Sequence, residues 1–153
     1  MQYVKAITLL TLIDQITKIL VSVFLKPVGS FEIMPGIFYL TYAENTGAVF
    51  GLLRNNRIPL IVSSIVITII LAYQLIRNYK NWDLIINFAV ASIIGGALGN
   101  LIDRIRLGYV VDFFNISLIR YPIFNIADML IVTGAITLVY MVISKKTSFN
   151  EKY

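Results

Sequence analysis

The chain has 153 residues, of which 58% are hydrophobic and 14% are charged, with a mean hydropathy of +0.82 and a net charge of +5. Because soluble domains carry about 25% charged residues, this composition excludes an ordinary soluble domain and indicates an integral membrane protein. Cysteine and histidine are both absent, which excludes disulfides, nucleophilic sites built on Cys or His, and the usual zinc sites.

The net charge limits the partners of the chain. A positively charged membrane protein fits a bilayer that contains anionic lipids, so membrane lipids are expected partners. No basic run is interleaved with aromatic residues, and nucleic acid is therefore not an expected partner.

Four apolar stretches are long enough to cross a bilayer, which takes about 20 helical residues. They comprise, approximately, residues 4–25, 58–76, 84–102 and 123–143. We therefore predict a single membrane domain, mainly α-helical, with four transmembrane helices. The first stretch is not expected to be a cleaved signal peptide, because Asp14 and Lys18 lie at its centre and no small-residue cleavage site follows.

Charged side chains within a membrane span are costly and mark candidate functional sites. Asp14 and Lys18 are four residues apart, so they share a helix face and can form an ion pair. Such a pair ties the first helix into the bundle and can also support a site. Lys18 and Ser22 have the spacing of a Ser-Lys dyad, but a lysine paired with an acid stays charged and is a poor base.

The polar segment 26–57 follows the first span. It is rich in aromatic and β-branched residues that partly alternate, and Pro35-Gly36 is a turn signal, so we predict a β-hairpin or small sheet at the membrane interface. With four spans, this segment and the segment 103–122 lie on one side of the membrane and both termini lie on the other. Lysine and arginine divide equally between the sides, so the positive-inside rule does not choose the orientation.

The third span ends in the sequence GGALGNLIDR. Gly95 and Gly99 form a G-x-x-x-G motif, which lets another helix approach closely. Asn100, Asp103 and Arg104 follow at spacings that place them on one helix face. These polar residues either line a site or cap a solvated helix end.

Two further acids lie among apolar residues. Asp112 stands in VVDFF on the loop before the fourth span, and Asp128 shares a face with Asn125 in the FNIADML sequence that begins that span. Two carboxylates close together in a dry site share one proton, because both cannot ionise cheaply. One then activates a water and the other polarises a carbonyl, as in aspartic proteases. The alternative for Asp128 is a favourable interaction with the helix dipole of about 1 kcal/mol or less, which compensates weakly for a buried charge.

Two other classes of protein stay open at this point. A proton-coupled transporter could use Asp14, Lys18 and Asp128 as a proton path, and a structural subunit could depend on the G-x-x-x-G packing alone. A transporter places its acids near the membrane midplane on several helices. Five polar residues of this chain are instead predicted to lie near a single membrane face. They are Asn45, Asn100, Asp103, Asp112 and Asp128.

Five motifs occur together and in a fixed order. They are DQITK at 14–18, ENTGAVFG at 44–51, GALGNLIDR at 96–104, GYVVDFF at 108–114 and FNIADM at 124–129. In these motifs, and over nearly its whole length, the chain resembles the bacterial lipoprotein signal peptidases, also called signal peptidase II.

The resemblance implies an aspartic endopeptidase that removes signal peptides from prolipoproteins and cuts before a diacylglyceryl-modified cysteine. The catalytic acids of the family match Asp112 and Asp128. The residues that line the site in the family match Asn45, Gly47, Asn100, Arg104 and Asn125. The residues that brace the structure match Asp14 and Lys18, and we place Asp103 with them.

The resemblance also implies a location in the bacterial cytoplasmic membrane, with both termini in the cytoplasm and both large loops outside. We expect no metal or other cofactor, since a carboxylate pair and water suffice, and we expect a monomer. The chain departs from the family pattern at Glu44, before Asn45, and at Ala48-Val49, where two small residues are more usual. We therefore expect the shape of the substrate groove to differ from that of other family members. The 103–122 loop is compact, and we expect it to change how far a flap over the groove can close.

Overall fold

The computed structural model describes residues 2–47, 56–119 and 121–150, with side chains to residue 144. Its helices are α1 (Gln2–Leu20), continued by a π-helical turn (Val21–Leu25), α2 (Arg57–Asn78), α3 (Leu84–Arg106) and α4 (Ile126–Asn150). Its strands are β1 (Ser30–Met34), β2 (Phe38–Asn45) and β3 (Val110–Ile116), and a 3-10 turn (Ser117–Ile119) follows. Within these ranges four helices are long and apolar enough to cross a membrane, which confirms the predicted fold class.

Helix α3 lies at the centre of the bundle. In its most apolar window 61% of the residues are buried, against 11% in each of the other three helices, and α1, α2 and α4 all pack on it. Glycines on α3 permit this approach, as the G-x-x-x-G motif predicts: a Cβ at Gly95 would lie 3.1 Å from Leu10 Cβ, and one at Gly99 would overlap the Asp14 carboxylate. Both glycines therefore bring α1 against α3.

A second close approach brings α4 to α3. A Cβ at Gly96 would overlap the backbone carbonyl of Ala127, and one at Gly134 would lie 2.7 Å from the carbonyl of Ala89. The start of α4 is thus held directly beside the α3 segment that carries Asn100.

A small antiparallel sheet of order β1-β2-β3 lies at the end of the bundle where α1 and α3 finish. Gly36 takes a φ of +70° in the turn between β1 and β2, a conformation that glycine adopts at little cost. This hairpin confirms the sheet predicted in segment 26–57. In the second pairing Ala43 is opposite Asp112 and Asn45 is opposite Val110, so Asn45 and Asp112 are diagonal neighbours on one face.

Strand β3 corrects one prediction. The sequence interpretation placed Asp112 on a loop, whereas it lies within a strand whose first four residues are all buried. A strand buried on both faces has no alternation of polar and apolar residues, and the pattern that identifies strands is then missing.

Two helix boundaries also differ from the predicted spans. Helix α3 extends to Arg106 rather than to about residue 102, so Asp103 and Arg104 lie within the helix, as the spacing that places them on one face with Asn100 predicts. Helix α4 begins at Ile126 rather than at about residue 123, so Asn125 precedes it. An apolar run indicates how much helix crosses the bilayer, and it does not mark where the helix ends.

Candidate active site

Asn125 and Asp128 form a reciprocal cap at the start of α4. The Asp128 backbone N–H donates to Asn125 Oδ1 at 2.9 Å, and the Asn125 backbone N–H donates to Asp128 Oδ2 at 3.3 Å. This is the geometry of a capping box, in which the cap residue and the third helical residue satisfy each other's backbone donors. The cap fixes the Asp128 carboxylate at the helix N-terminus.

Helix α3 supplies a second contact to Asp128. Asn100 Nδ2 donates to Asp128 Oδ1 at 2.8 Å, and Asn100 itself is 5% exposed. Both oxygens of the Asp128 carboxylate thus accept hydrogen bonds, one from α3 and one from the backbone that precedes α4.

Strand pairing places Asp112 on the other side of Asn125. Asn125 Nδ2 donates to Asp112 Oδ1 at 2.6 Å, and Asn45 Nδ2 of β2 donates to Asp112 Oδ2 at 2.8 Å. Asn125 therefore bonds both acids, Asp112 through its side-chain amide and Asp128 through its backbone N–H and side-chain oxygen. The two carboxylates predicted as a pair are joined by this single residue.

The environment of Asp112 favours the protonated acid. Burial, and after it the negative charge of Asp128, raise the pKa of Asp112, while the hydrogen bonds from Asn45 and Asn125 and the charge of Lys18 lower it; the net result is a pKa of about 7. Asp112 thus holds a proton at a pH where an exposed aspartate has lost it.

The Arg104 side chain extends from α3 towards the residues that follow the end of β2. One of its guanidinium nitrogens donates to the Asn100 carbonyl oxygen at 3.4 Å, and the other donates to the Gly47 carbonyl oxygen at 3.3 Å. The Gly47 N–H donates to Asn45 Oδ1 at 3.0 Å. Arg104 and Gly47 therefore connect the N-x-G segment to α3, and the departures at Ala48 and Val49 lie outside the described residues.

The predicted brace is larger than an ion pair. Lys18 Nζ lies 2.9 Å from Asp14 Oδ2 and also 3.0 Å from Asp103 Oδ2 of α3, and all three side chains are at most 4% exposed. Asp14 Oδ1 accepts from the Ala127 N–H at 2.9 Å, and Asp103 Oδ2 accepts from the Val111 N–H at 3.2 Å. The cluster thus holds α1, α3, α4 and β3 together.

Gln15 belongs to this cluster, and the sequence interpretation assigned it no role. Its Nε2 donates to the Gly99 carbonyl oxygen at 3.1 Å, to Asp103 Oδ1 at 3.0 Å and to Asp14 Oδ2 at 3.3 Å. A polar residue adjacent to Asp14 within a span was the available signal, because polar side chains inside a membrane need partners.

A cavity of about 620 Å³ opens beside Asp112 and Asp128, and Asn45, Asn100 and Arg104 also line it. Asn125 is completely buried behind the carboxylates and does not line the cavity wall. The remainder of the wall is mostly apolar and comes from α2, α3 and α4, from β2 and β3, and from the segment 121–124 that precedes α4. It includes Ile67, Ile93, Ala97, Ile131 and Val132. A groove between membrane-spanning helices thus leads to two carboxylates.

The model of the family described as signal peptidase (SPase) II matches residues 6–144 of the chain. The chain belongs to the signal peptidase II family. A lipoprotein signal peptidase of Caldanaerobacter subterraneus subsp. tengcongensis is 47% identical over 134 residues, which cover 87% of this chain and 90% of the relative. One from Clostridioides difficile is 43% identical over 138 residues, with 90% and 92% covered.

Solved structures agree with this membership. A structure described as a bacterial membrane enzyme, solved by the in meso method at 2.3 Å resolution, superposes with a TM-score of 0.87 at 30% identity and covers 96% of this chain and 90% of its own. A second of the same description, at 1.9 Å resolution, gives a TM-score of 0.81 at 32% identity, with 92% of each chain covered. Signal peptidase II members are proteases of bacterial membranes, and the four apolar helices of this chain fit that setting.

Proposed function

We propose that the chain is an aspartic endopeptidase that removes signal peptides from bacterial prolipoproteins, cutting before a diacylglyceryl-modified cysteine. The observation that carries the proposal is the cavity shared by Asp112 and Asp128, with both acids bonded to the buried Asn125. A protease that has no histidine or cysteine must activate water by other groups, and a carboxylate pair with one shared proton can do so.

The raised pKa of Asp112 supports one division of the first steps between the two acids. Asp112 begins protonated and donates to the oxygen of the scissile carbonyl, while ionised Asp128 takes a proton from the attacking water. The resulting tetrahedral intermediate then breaks its C–N bond, and the amine leaves with the proton that Asp128 had accepted. Both acids return to their starting states after Asp112 recovers its proton from the new carboxyl group.

The shape of the cavity suits a substrate that stays in the bilayer. Its apolar wall includes Ile67 of α2 and Ile131 of α4, within the spans, and its polar end carries the two carboxylates. A lipid-modified cysteine and an apolar signal segment can lie along this wall while the scissile bond reaches the acids. Asn45, Asn100 and Arg104 offer donors to the substrate backbone at the same end.

The proposal includes the arrangement in the membrane. The chain is one domain and a monomer among membrane lipids, both termini are cytoplasmic, and the sheet and both acids lie at the extracytoplasmic face of the cytoplasmic membrane. No metal or other cofactor takes part, because the two carboxylates and one water supply the acid and the base.

A cleavage assay with two precursors tests the proposal. Purified protein in detergent is incubated with a diacylglyceryl-modified prolipoprotein and with the same precursor lacking the lipid, and products are followed by mass. We expect cleavage before the modified cysteine in the first precursor only. Cleavage of both at equal rates, or of neither, would contradict the proposed substrate.

A further inference from the structure

Lys18 is a buried charged residue that the proposed reaction does not use. Its side chain is 3% exposed and lies within α1. An ammonium group has three protons to donate and no lone pair to accept. All three protons have partners: Asp14 Oδ2 at 2.9 Å, Asp103 Oδ2 at 3.0 Å and Asn100 Oδ1 at 2.8 Å.

The third contact determines which way the Asn100 amide points. Because Lys18 can only donate, the Asn100 atom that faces it must be the carbonyl oxygen. The amide nitrogen therefore faces Asp128, to which it donates at 2.8 Å. Lys18, Asn100 and Asp128 form a chain of two hydrogen bonds that runs from α1 through α3 to α4.

One other donor reaches the same oxygen. Asn125 Nδ2 lies 3.1 Å from Asn100 Oδ1, but its nearest acceptor is Asp112 Oδ1 at 2.6 Å, and the Val111 carbonyl oxygen lies 3.4 Å away. The two amide protons of Asn125 are shared among these three acceptors. The hydrogen bond from Asn125 to Asn100 Oδ1 is therefore weaker than the one from Lys18. A charged donor at 2.8 Å, as Lys18 provides, makes the stronger hydrogen bond.

From these contacts we infer that Lys18 is a positioning residue, which holds the Asp128 carboxylate in place by fixing the amide orientation of Asn100. The inference rests on the proposed function, because it assigns Lys18 a part in that reaction. Without Lys18 the amide can turn over, and its oxygen would then face the carboxylate instead of donating to it. Misplacing a reacting group by about 1 Å can cost about 100-fold in rate.

A purely bracing role makes a different prediction. Lys18 would then affect activity only through the fraction of folded enzyme. The positioning role predicts a fall in kcat of the folded enzyme with little change in KM, since substrate contacts in the cavity are kept.

The variant must keep the buried cluster in charge balance. Lys18→Met alone leaves Asp14 and Asp103 without a counter-ion, which is strongly destabilising. We therefore compare the double variant Lys18→Met/Asp103→Asn with the single variant Asp103→Asn. The double variant retains the net charge that the cluster of Asp14, Lys18 and Asp103 has in the unaltered protein. Thr11→Val serves as a matched control for lost packing, since it removes a hydrogen bond from α1 to the Gly95 carbonyl and does not touch Asn100.

The experiment measures kcat, KM and thermal unfolding for cleavage of the lipidated precursor. We expect Lys18→Met in the Asp103→Asn background to lower kcat by roughly 10- to 100-fold with KM nearly unchanged. We expect Thr11→Val to lower the unfolding temperature without this loss of kcat. In a double-mutant cycle, Lys18→Met should have no further effect once Asn100→Leu has removed the amide.

Three results would overturn the inference while leaving the proposed function intact. They are an unchanged kcat when Lys18→Met is added to the Asp103→Asn background, a loss of kcat no greater than in a control of equal unfolding temperature, and losses from Lys18→Met and Asn100→Leu that simply add. Absence of cleavage by the unaltered enzyme would instead overturn the proposed function, and the inference with it.

Discussion

Each of the three asparagines at the site is oriented by a donor. Asn45 Oδ1 accepts from the Gly47 N–H, Asn125 Oδ1 accepts from the Asp128 N–H, and Asn100 Oδ1 accepts from an ammonium. Each amide nitrogen is consequently turned towards a carboxylate, where it donates. Fixed donors of this kind need no reorganisation when charge develops in the transition state.

A pH profile tests the protonation state assigned to Asp112. Because its pKa is raised to about 7, Asp112 loses its proton as the pH rises through that value, and the pair then carries two negative charges. We expect kcat/KM, which reports on the free enzyme, to fall on the alkaline side of about pH 7. A profile that stays flat from neutral into alkaline pH would contradict the assignment.

Glu44 provides the control for that profile. It is an exposed acid one residue before Asn45, and Lys26, by a hydrogen bond at 2.9 Å, lowers its pKa, so it is already ionised in this range. Glu44→Gln should leave the alkaline limb where it is. A limb that moved in this variant would show that a group other than Asp112 controls it.

The sign of the linked stability effect follows from the same pKa. An aspartate with its folded pKa above the ordinary value of 3.8 favours the folded state at acid pH, and this contribution is lost as the pH rises from about 4 to about 7. Asp112 therefore reduces stability at neutral pH, which is an expected property of a residue kept for chemistry.

At the scale of single residues, the sequence indicated which acids are unusual, but it did not indicate which side chains they contact. Asp112 and Asp128 stood out because ionisable groups among apolar residues are costly. The network that joins them through Asn125, and the membership of Gln15 in the buried cluster, depend on how four separate segments meet. No local spacing contains that information.

The helices and the sheet position the site through backbone contacts that allow little adjustment. Glycines of α3 bring α1 and α4 close enough for their side chains to share one cluster, and β3 pairs with β2 so that Asp112 lies beside Asn45. The helices and the hairpin were predictable from apolar length and turn signals. Strand β3 was not, because its buried residues carry no alternating pattern.

A pair of glycine substitutions tests this dependence on close packing. A Cβ at Gly99 would overlap the Asp14 carboxylate, which is held by Lys18 and the Ala127 N–H, so we expect Gly99→Ala to destabilise the protein by about 1–3 kcal/mol. The measurement is thermal or denaturant unfolding in detergent.

Gly95→Ala is the matched comparison on the same helix face. Its Cβ would lie 3.1 Å from Leu10 Cβ, a contact that a small shift relieves, and alanine favours the helix over glycine by about 0.5–1 kcal/mol. We expect a change in unfolding free energy near zero. If Gly95→Ala were the more damaging of the two, the packing account of α1 on α3 would be wrong.

Across the whole molecule, the proposed arrangement with four spans places the sheet and both acids on the side of the membrane opposite the termini. An even number of spans returns the chain to the side of the membrane on which it began. Because lysine and arginine divide equally between the two sides, the positive-inside rule does not indicate which side is cytoplasmic. The proposed orientation puts the β1–β2 hairpin outside the cell and the turn between α2 and α3 in the cytoplasm.

Single cysteines can test the orientation, because the chain has none of its own. Ile33→Cys lies on exposed β1, and Asn81→Cys lies in the exposed turn between α2 and α3. In intact spheroplasts we expect a membrane-impermeant maleimide to label Ile33→Cys at once and Asn81→Cys only after permeabilisation. The reverse pattern would place the site on the cytoplasmic side.

The central claim is that Asp112 and Asp128 together perform the cleavage. The most direct measurement is turnover of a diacylglyceryl-modified precursor by Asp112→Asn and Asp128→Asn, each matched to the unaltered enzyme in amount and in folded fraction. Loss of a general acid or base costs about 10²- to 10⁴-fold, so the account predicts that each variant stays folded and loses at least that much turnover. Near-normal turnover by either folded variant would contradict it.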